Sequence, residues 1–292
     1  MDRKYYSVAG HTFCLVMPER DPLWAMLTPY APFECAAARD AVLFTLIVDE
    51  KAAVPSADGD FAGSFGVDGS RMDVYRTGIG YAYYLAAPGE TGVSRIFMPH
   101  GCREVTIVPA GKKLSRFFAL NNALMLMYAF ASAPHDTLLM HASVINRGGK
   151  GFLFLGKSGT GKSTHSRLWL EHIAGSGLLN DDNPVVRIID GQPWVFGSPW
   201  SGKTSCYKNE SVPVDGIVKL QQAPENRVER LSPLKAYAAL LPACSCMKWE
   251  ENIMGGVHDT VEKLAVGAGC YRLCCLPDKE AVILCCSTVS DT

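Results

Sequence analysis

Eight consecutive residues constrain this chain more than any others: Gly156-Lys157-Ser158-Gly159-Thr160-Gly161-Lys162-Ser163. Glycines at this spacing let the backbone turn its N–H groups inward with no Cβ in the way. The apolar run Phe152 to Leu155 comes directly before, and an amphipathic stretch, Ser163 to Ala174, comes directly after. Leu168, Trp169 and Ile173 share one side of that stretch. The order predicts a buried strand, a turn lined with amides, and a helix ended by Gly175 and Gly177.

Such a turn is an anion cradle, because the helix that starts there aims its positive dipole end at whatever the amides hold. The segment fits G-x-x-x-x-G-K-[ST] at every fixed position, a match expected by composition alone on the order of once in a hundred chains of this length. The ligand it predicts is ATP with Mg²⁺. Residues Gly156, Lys157, Ser158, Gly159, Thr160, Gly161, Lys162, Ser163 and Thr164 would hold the phosphates. Lys162 places its charge on the β- and γ-phosphates, and the Ser163 hydroxyl ligates Mg²⁺.

Mg²⁺ needs oxygen ligands, and phosphoryl transfer to a hydroxyl gains from a carboxylate that takes the proton. Asp181 and Asp182 follow Ser163 by 18 and 19 residues. A helix of about three turns and a short returning strand consume that distance and bring the acids beside the loop. A solvated pair of acids at the head of a turn is the plainer alternative. His141 precedes Gly156 by 15 residues on the preceding strand, Leu138 to Asn146. It faces the reacting groups if the two strands are neighbours, and is otherwise a satisfied core histidine.

Away from this segment the chain reads as two textures. Residues 1–110 look β-rich, with strands at Tyr5 to Val8, Thr12 to Met17, Ala41 to Val48 and Gly80 to Ala86, and a hairpin around Asp68-Gly69. Residues 111–136 form a connecting buried helix, Leu114 to Ala133, stopped by Pro134. Residues 137–292 alternate strands with helices, as an α/β core does. Further elements are expected at Val185 to Ile189, Trp194 to Phe196, Ile217 to Leu220, Pro233 to Leu241 and Asp278 to Cys286.

With 28 Lys plus Arg against 29 acids, the formal charge is −1. That balance gives no electrostatic footprint for nucleic acid or an anionic membrane, so neither is an expected partner. The N-terminal residues break any apolar run with Ser7, Gly10, His11 and Thr12, so a cytoplasmic protein is expected. Eleven cysteines, with no Cys-x-x-Cys among them, read as reduced core side chains.

Met140-His141-Ala142-Ser143-Val144, the loop GKSGTGKS and Leu179-Asn180-Asp181-Asp182, in that order and spacing, resemble the catalytic core of HPr kinase/phosphorylase-like proteins. The likeness covers roughly residues 137–205. It implies a P-loop core like that of the phosphoenolpyruvate carboxykinase nucleotide domain, here preceded by the β-rich region. By the same resemblance Lys162 binds the phosphates, Ser163 and Asp181 serve the metal, Asp182 deprotonates the acceptor hydroxyl, and His141 orients or polarises the reacting group. The family's Glu-x-Arg-Gly signature is absent, and Gly197 to Lys203 stands at the comparable place. Asn226, Arg227 and Arg230 are further candidates for phosphate contact.

The expected activity is ATP- and Mg-dependent phosphoryl transfer to a hydroxyl of a protein, peptide or small-molecule acceptor. Residues 1–110 would be an acceptor-binding or regulatory part, and the chain also allows a homo-oligomer. The alternative is a catalytically weak ATP-binding sensor or regulatory protein, motivated by the missing glutamate.

Overall fold

The apolar runs Tyr5 to Val8 and Thr12 to Met17, with the Ala9-Gly10 turn between them, produce the first hairpin. The computed structural model describes residues 1–36, 42–56, 59–66, 69–202 and 204–290. The chain divides into two units, Met1–Ala131 and Ser132–Thr292. The first is a nine-stranded sheet built from β1 (Asp2–Val8), β2 (His11–Met17), β3 (Glu34–Cys35), β4 (Thr45–Val48), β5 (Asp60–Phe65), β6 (Arg71–Thr77), β7 (Gly80–Ala86), β8 (Val93–Pro99) and β9 (Glu104–Val108). Their order across the sheet is β3-β1-β2-β4-β9-β8-β7-β6-β5. Ala9 (φ 50°) and Gly10 (φ 79°) take the two left-handed positions that a tight hairpin turn requires.

Helix α1 (Lys113–Ser132) follows. Lys113–His135 is the one stretch among the described residues long and apolar enough to cross a membrane by length and composition, and 56% of its apolar window is buried. The segment 111–136, expected as a connector, is shared: Ala131 closes the first unit and Ser132 opens the second.

The second unit holds β10 (Thr137–Leu139), β11 (Ala142–Arg147), β12 (Lys150–Leu155), α2 (Lys162–His172), β13 (Ser176–Asn180), β14 (Val185–Ile189), β15 (Gln192–Phe196), β16 (Ser211–Gln222), β17 (Arg227–Arg230), α3 (Pro233–Leu240), α4 (Glu251–Gly267), β18 (Gly269–Cys275) and α5 (Lys279–Ser290). The sheet runs β10-β14-β15-β16-β12-β11-β13, with β18 on β16 and β17 on β18. β12, β16 and β18 are parallel, while β11 is antiparallel to both β12 and β13. The C-terminal ends of β12 and β13 and the start of β11 therefore lie at one edge. Phe152, Phe154, Val218, Leu220, Tyr271 and Leu273 bury one sheet face against Trp169 and Leu168 of α2 and Val282, Cys285 and Val289 of α5. Mixed α/β is the fold class: two large sheets and few helices.

Several elements differ from the sequence reading. The strand expected over Leu138 to Asn146 is two strands, broken at Met140 and His141. The break frees His141 from the ladder: its N–H donates to the Ala243 carbonyl at 2.7 Å, and the Ala142 N–H donates to the Asp182 carbonyl at 2.9 Å. Strands β8 and β18 and the 17-residue helix α4 were not anticipated. Helix α4 carries Gly255-Gly256, which reads as a helix breaker. Here a Cβ on Gly256 would come within 2.4 Å of the Ala133 carbonyl oxygen, so the glycine admits a close backbone approach. Ala41 of the strand expected from 41 to 48, and Val67 and Asp68 of the expected hairpin, lie outside the described residues. The flanking strands β5 and β6 do pair antiparallel, Phe65 opposite Met72.

Candidate functional site

The glycine loop leaves the buried end of β12 and enters α2. Gly159 (φ 80°) and Gly161 (φ 106°) adopt left-handed backbone, and Gly161 is the residue that caps α2. No side chain caps the helix, and its first turn closes with the His165 N–H donating to the Gly161 carbonyl at 2.8 Å. The amides before that bond have no partner within the helix and carry its positive end. A Cβ on Gly156 would press on the Thr160 side chain at 3.0 Å. Lys157, Ser158, Gly159 and Ser163 are exposed; Gly156, Thr160, Gly161 and Thr164 are half-buried.

Lys162 behaves differently from a surface lysine. It is buried, and its Nζ donates to the Gly156 carbonyl at 2.9 Å and lies 2.7 Å from His141 Nε2. Burial pulls its pKa below the ordinary lysine value, while Asp182 and Asp181 oppose that shift. On the other side of the imidazole, His141 Nδ1 lies 3.0 Å from Asp182 Oδ1. With Asp182 ionised, the imidazole proton sits on Nδ1 and the Nε2 lone pair faces the ammonium. Lys162, His141 and Asp182 thus form one hydrogen-bonded chain. The break between β10 and β11 places His141 there, and Asp182 arrives from the end of β13.

Asp182 is held by its neighbours as well. Its N–H donates to Asn180 Oδ1 at 2.9 Å, and Asn183 Nδ2 donates to its Oδ2 at 2.8 Å. Asn180 is fully buried and its Nδ2 donates to Ser198 Oγ at 3.1 Å. Ser198 in turn donates to the Asn183 carbonyl at 2.6 Å and accepts from the Trp200 N–H at 3.1 Å. The segment 197–200 therefore braces the aspartate turn. Neither Asn180 nor Ser198 had a role in the sequence reading; short-range spacing does not connect residues 18 apart.

Asp181 points elsewhere. It is buried, and Ser143 Oγ donates to its Oδ1 at 3.1 Å. Its Oδ2 is buried with no hydrogen-bond partner. Leaving a buried polar atom unsatisfied costs about 1–3 kcal/mol, and more for a charged group. A divalent cation fits such an oxygen. Among the described residues no group of three or more His, Cys, Asp or Glu side chains could hold a metal by itself.

Of the remaining candidates, Asn226 spends its side chain on a turn: Nδ2 donates to Asp278 Oδ1 at 3.0 Å and Oδ1 accepts from the Leu276 N–H at 2.8 Å. Arg227 and Arg230 lie on β17, paired to β18. Lys203 lies outside the described residues. None of the eleven cysteines forms a disulfide, and several lie deep in the core, where burial pushes the Cys270 thiol up to about 12.

Fold and site together define a mixed α/β protein with a glycine-rich strand–loop–helix whose lysine is wired to a histidine and an aspartate. The family described as SynChlorMet cassette protein ScmC matches residues 106–266, more than half of the chain, and the chain belongs to that family. Among solved structures, one described as the HPr(Ser) kinase/phosphatase from Coxiella burnetii is 14% identical, with a TM-score of 0.30, covering 52% of this chain and 94% of that one. A likeness at that score bears no weight on function. No curated protein matches the chain.

Proposed function

We propose that the second unit binds ATP with Mg²⁺ and transfers its γ-phosphoryl group to a hydroxyl of a protein, peptide or small molecule. The observation that carries this reading is the chain from the loop lysine through His141 to Asp182, set at the mouth of an uncapped, glycine-entered helix. Loop amides and Lys162 would bind the phosphates, with Ser163 and Asp181 as the residues that hold the metal. Mg²⁺, when bound, neutralises charge on the transferred group. Lys162 would exchange His141 and the Gly156 carbonyl for phosphate oxygens. The acceptor O–H gives its proton to Asp182; its oxygen forms the new P–O bond as the bond from the γ-phosphorus to the bridging oxygen breaks, leaving that electron pair on ADP. His141, hydrogen-bonded to Asp182, orients the base.

The test uses γ-labelled ATP and candidate acceptors with the full chain. Asp182→Asn should abolish transfer and leave ATP binding nearly intact. Equal loss of both would show that Asp182 is structural. A sensor that binds ATP without transferring it is the second reading, favoured by the absent Glu-x-Arg-Gly segment. It predicts that ATP protects the fold thermally while no acceptor is ever labelled.

A further inference from the structure

Ser143 is fully buried on β11, two residues after His141, and the proposed chemistry leaves it without a task. Its Oγ donates to Asp181 Oδ1 at 3.1 Å and lies 2.7 Å from Ser166 Oγ. A serine hydroxyl has one hydrogen. Since Ser143 gives its hydrogen to the carboxylate, Ser166 must donate to Ser143. The result is a directed chain, Ser166 to Ser143 to Asp181, in which each bond polarises the next. Ser166 lies one helical turn after Lys162 on α2 and is itself buried, so the chain ties the loop helix to the end of β13.

The other half of the carboxylate is left open. Asp181 is only 5% exposed, yet Oδ2 has no partner. Buried polar atoms are ordinarily satisfied, so one oxygen held by a serine that a second serine backs, beside one held by nothing, calls for a reason. A free carboxylate also rotates broadly about its last torsion, and a ligand oxygen gains from having that rotation stopped.

We infer that Ser143 and Ser166 are positioning residues: they hold Asp181 by Oδ1 so that Oδ2 is presented to the divalent cation that accompanies the nucleotide. The inference rests on the nucleotide-binding reading and adds to it which oxygen serves the metal and which residues set it.

The experiment measures two affinities on the full-length chain. Mn²⁺ binding is followed by electron paramagnetic resonance with saturating ADP, and ADP binding is followed by calorimetry in EDTA. Ser143→Ala should loosen Mn²⁺ by about tenfold or more, as removing an outer partner of a metal ligand does. Ser166→Ala should loosen it less, because it acts through Ser143. ADP affinity in EDTA should stay at the wild-type value in both, and Ser143→Thr, which restores the hydroxyl, should recover Mn²⁺ binding. Ser166→Ala removes a single hydroxyl at the helix and serves as the deciding variant if Ser143→Ala does not fold. Wild-type Mn²⁺ affinity in both alanine variants overturns the inference alone, provided ADP still binds. A parallel loss of Mn²⁺ and metal-free ADP overturns it too, because the serines are then structural. A wild-type chain that binds no ADP overturns the nucleotide reading, and this inference with it.

Discussion

Lys162 Nζ stands 2.7 Å from His141 Nε2, and the opposite nitrogen of the same ring stands 3.0 Å from Asp182 Oδ1. One imidazole thus links the loop lysine to the aspartate turn. Its removal separates two roles that the geometry combines. His141→Ala leaves Lys162 its bond to the Gly156 carbonyl and takes away a group that competes with phosphate for the ammonium. Transfer should fall about 100-fold or more, the scale of a lost acid–base partner. Nucleotide should bind at least as tightly as before. Label transfer and calorimetry on the same preparation check both halves, and weaker nucleotide binding would count against the arrangement.

Gly161 adopts φ 106° at the entrance of α2, with open space where a Cβ would stand. Gly161→Ala therefore meets no neighbour, and its cost is conformational. Forcing a non-glycine residue into that region costs roughly 1–3 kcal/mol. Urea unfolding should show a lower midpoint with an unchanged slope. ATP affinity should fall as well, because relief of the strain would turn the amides away from the ligand.

His165 is buried against Phe154 and accepts a hydrogen bond from Trp169 Nε1 at 3.1 Å, so it is neutral with its proton on Nδ1. Burial lowers its pKa to about 4 from the usual 6.5. The unfolded chain binds the extra proton first as pH falls. The stability this group contributes is complete above pH 6.5 and is lost as pH drops from there through 4, up to about 3 kcal/mol. His165→Gln keeps an acceptor for Trp169 and should flatten that part of the stability-against-pH curve. A wild-type curve with no slope between pH 6.5 and 4 beyond that of the glutamine variant would contradict the neutral assignment.

Asn180 is fully buried and bonds the Asp182 amide on one side and Ser198 on the other. Asn180→Ala removes both bonds at once and leaves the Asp182 amide seeking water. Thermal or urea unfolding should record a loss of about 1–3 kcal/mol. Transfer should fall further than ATP affinity, because the turn it braces carries Asp182 while the glycine loop does not depend on it.

Local chemistry made much of this molecule legible in advance. The glycine loop, its strand and its helix follow from residues adjacent in sequence, because left-handed glycines, an apolar run and a helical stripe act over a few positions. The strands expected at Tyr5 to Val8 and Thr12 to Met17, and at Val185 to Ile189 and Trp194 to Phe196, are legible for the same reason, and each pair closes a hairpin, over Ala9-Gly10 and over Asp190-Gly191. Helix α4 was hidden because Gly255-Gly256 lowers helix propensity, and only the contact with the Ala133 backbone shows why a glycine belongs there. Strand β18, Gly269–Cys275, was hidden by a composition rich in cysteine that signals no period.

By itself the sequence determined that a glycine-rich turn would stand between a buried strand and a helix, with a lysine at its mouth. Tertiary structure alone decided what that lysine touches. Strand order brings the ends of β12 and β13 and the start of β11 to one edge, and a break in the ladder turns His141 out of its strand. It also decided that the two neighbouring aspartates face different partners, Asp182 the histidine and Asp181 a buried serine that a second serine backs. Backbone conformation is set over a few residues, whereas a hydrogen bond between groups twenty or forty positions apart exists only once the sheet has placed them.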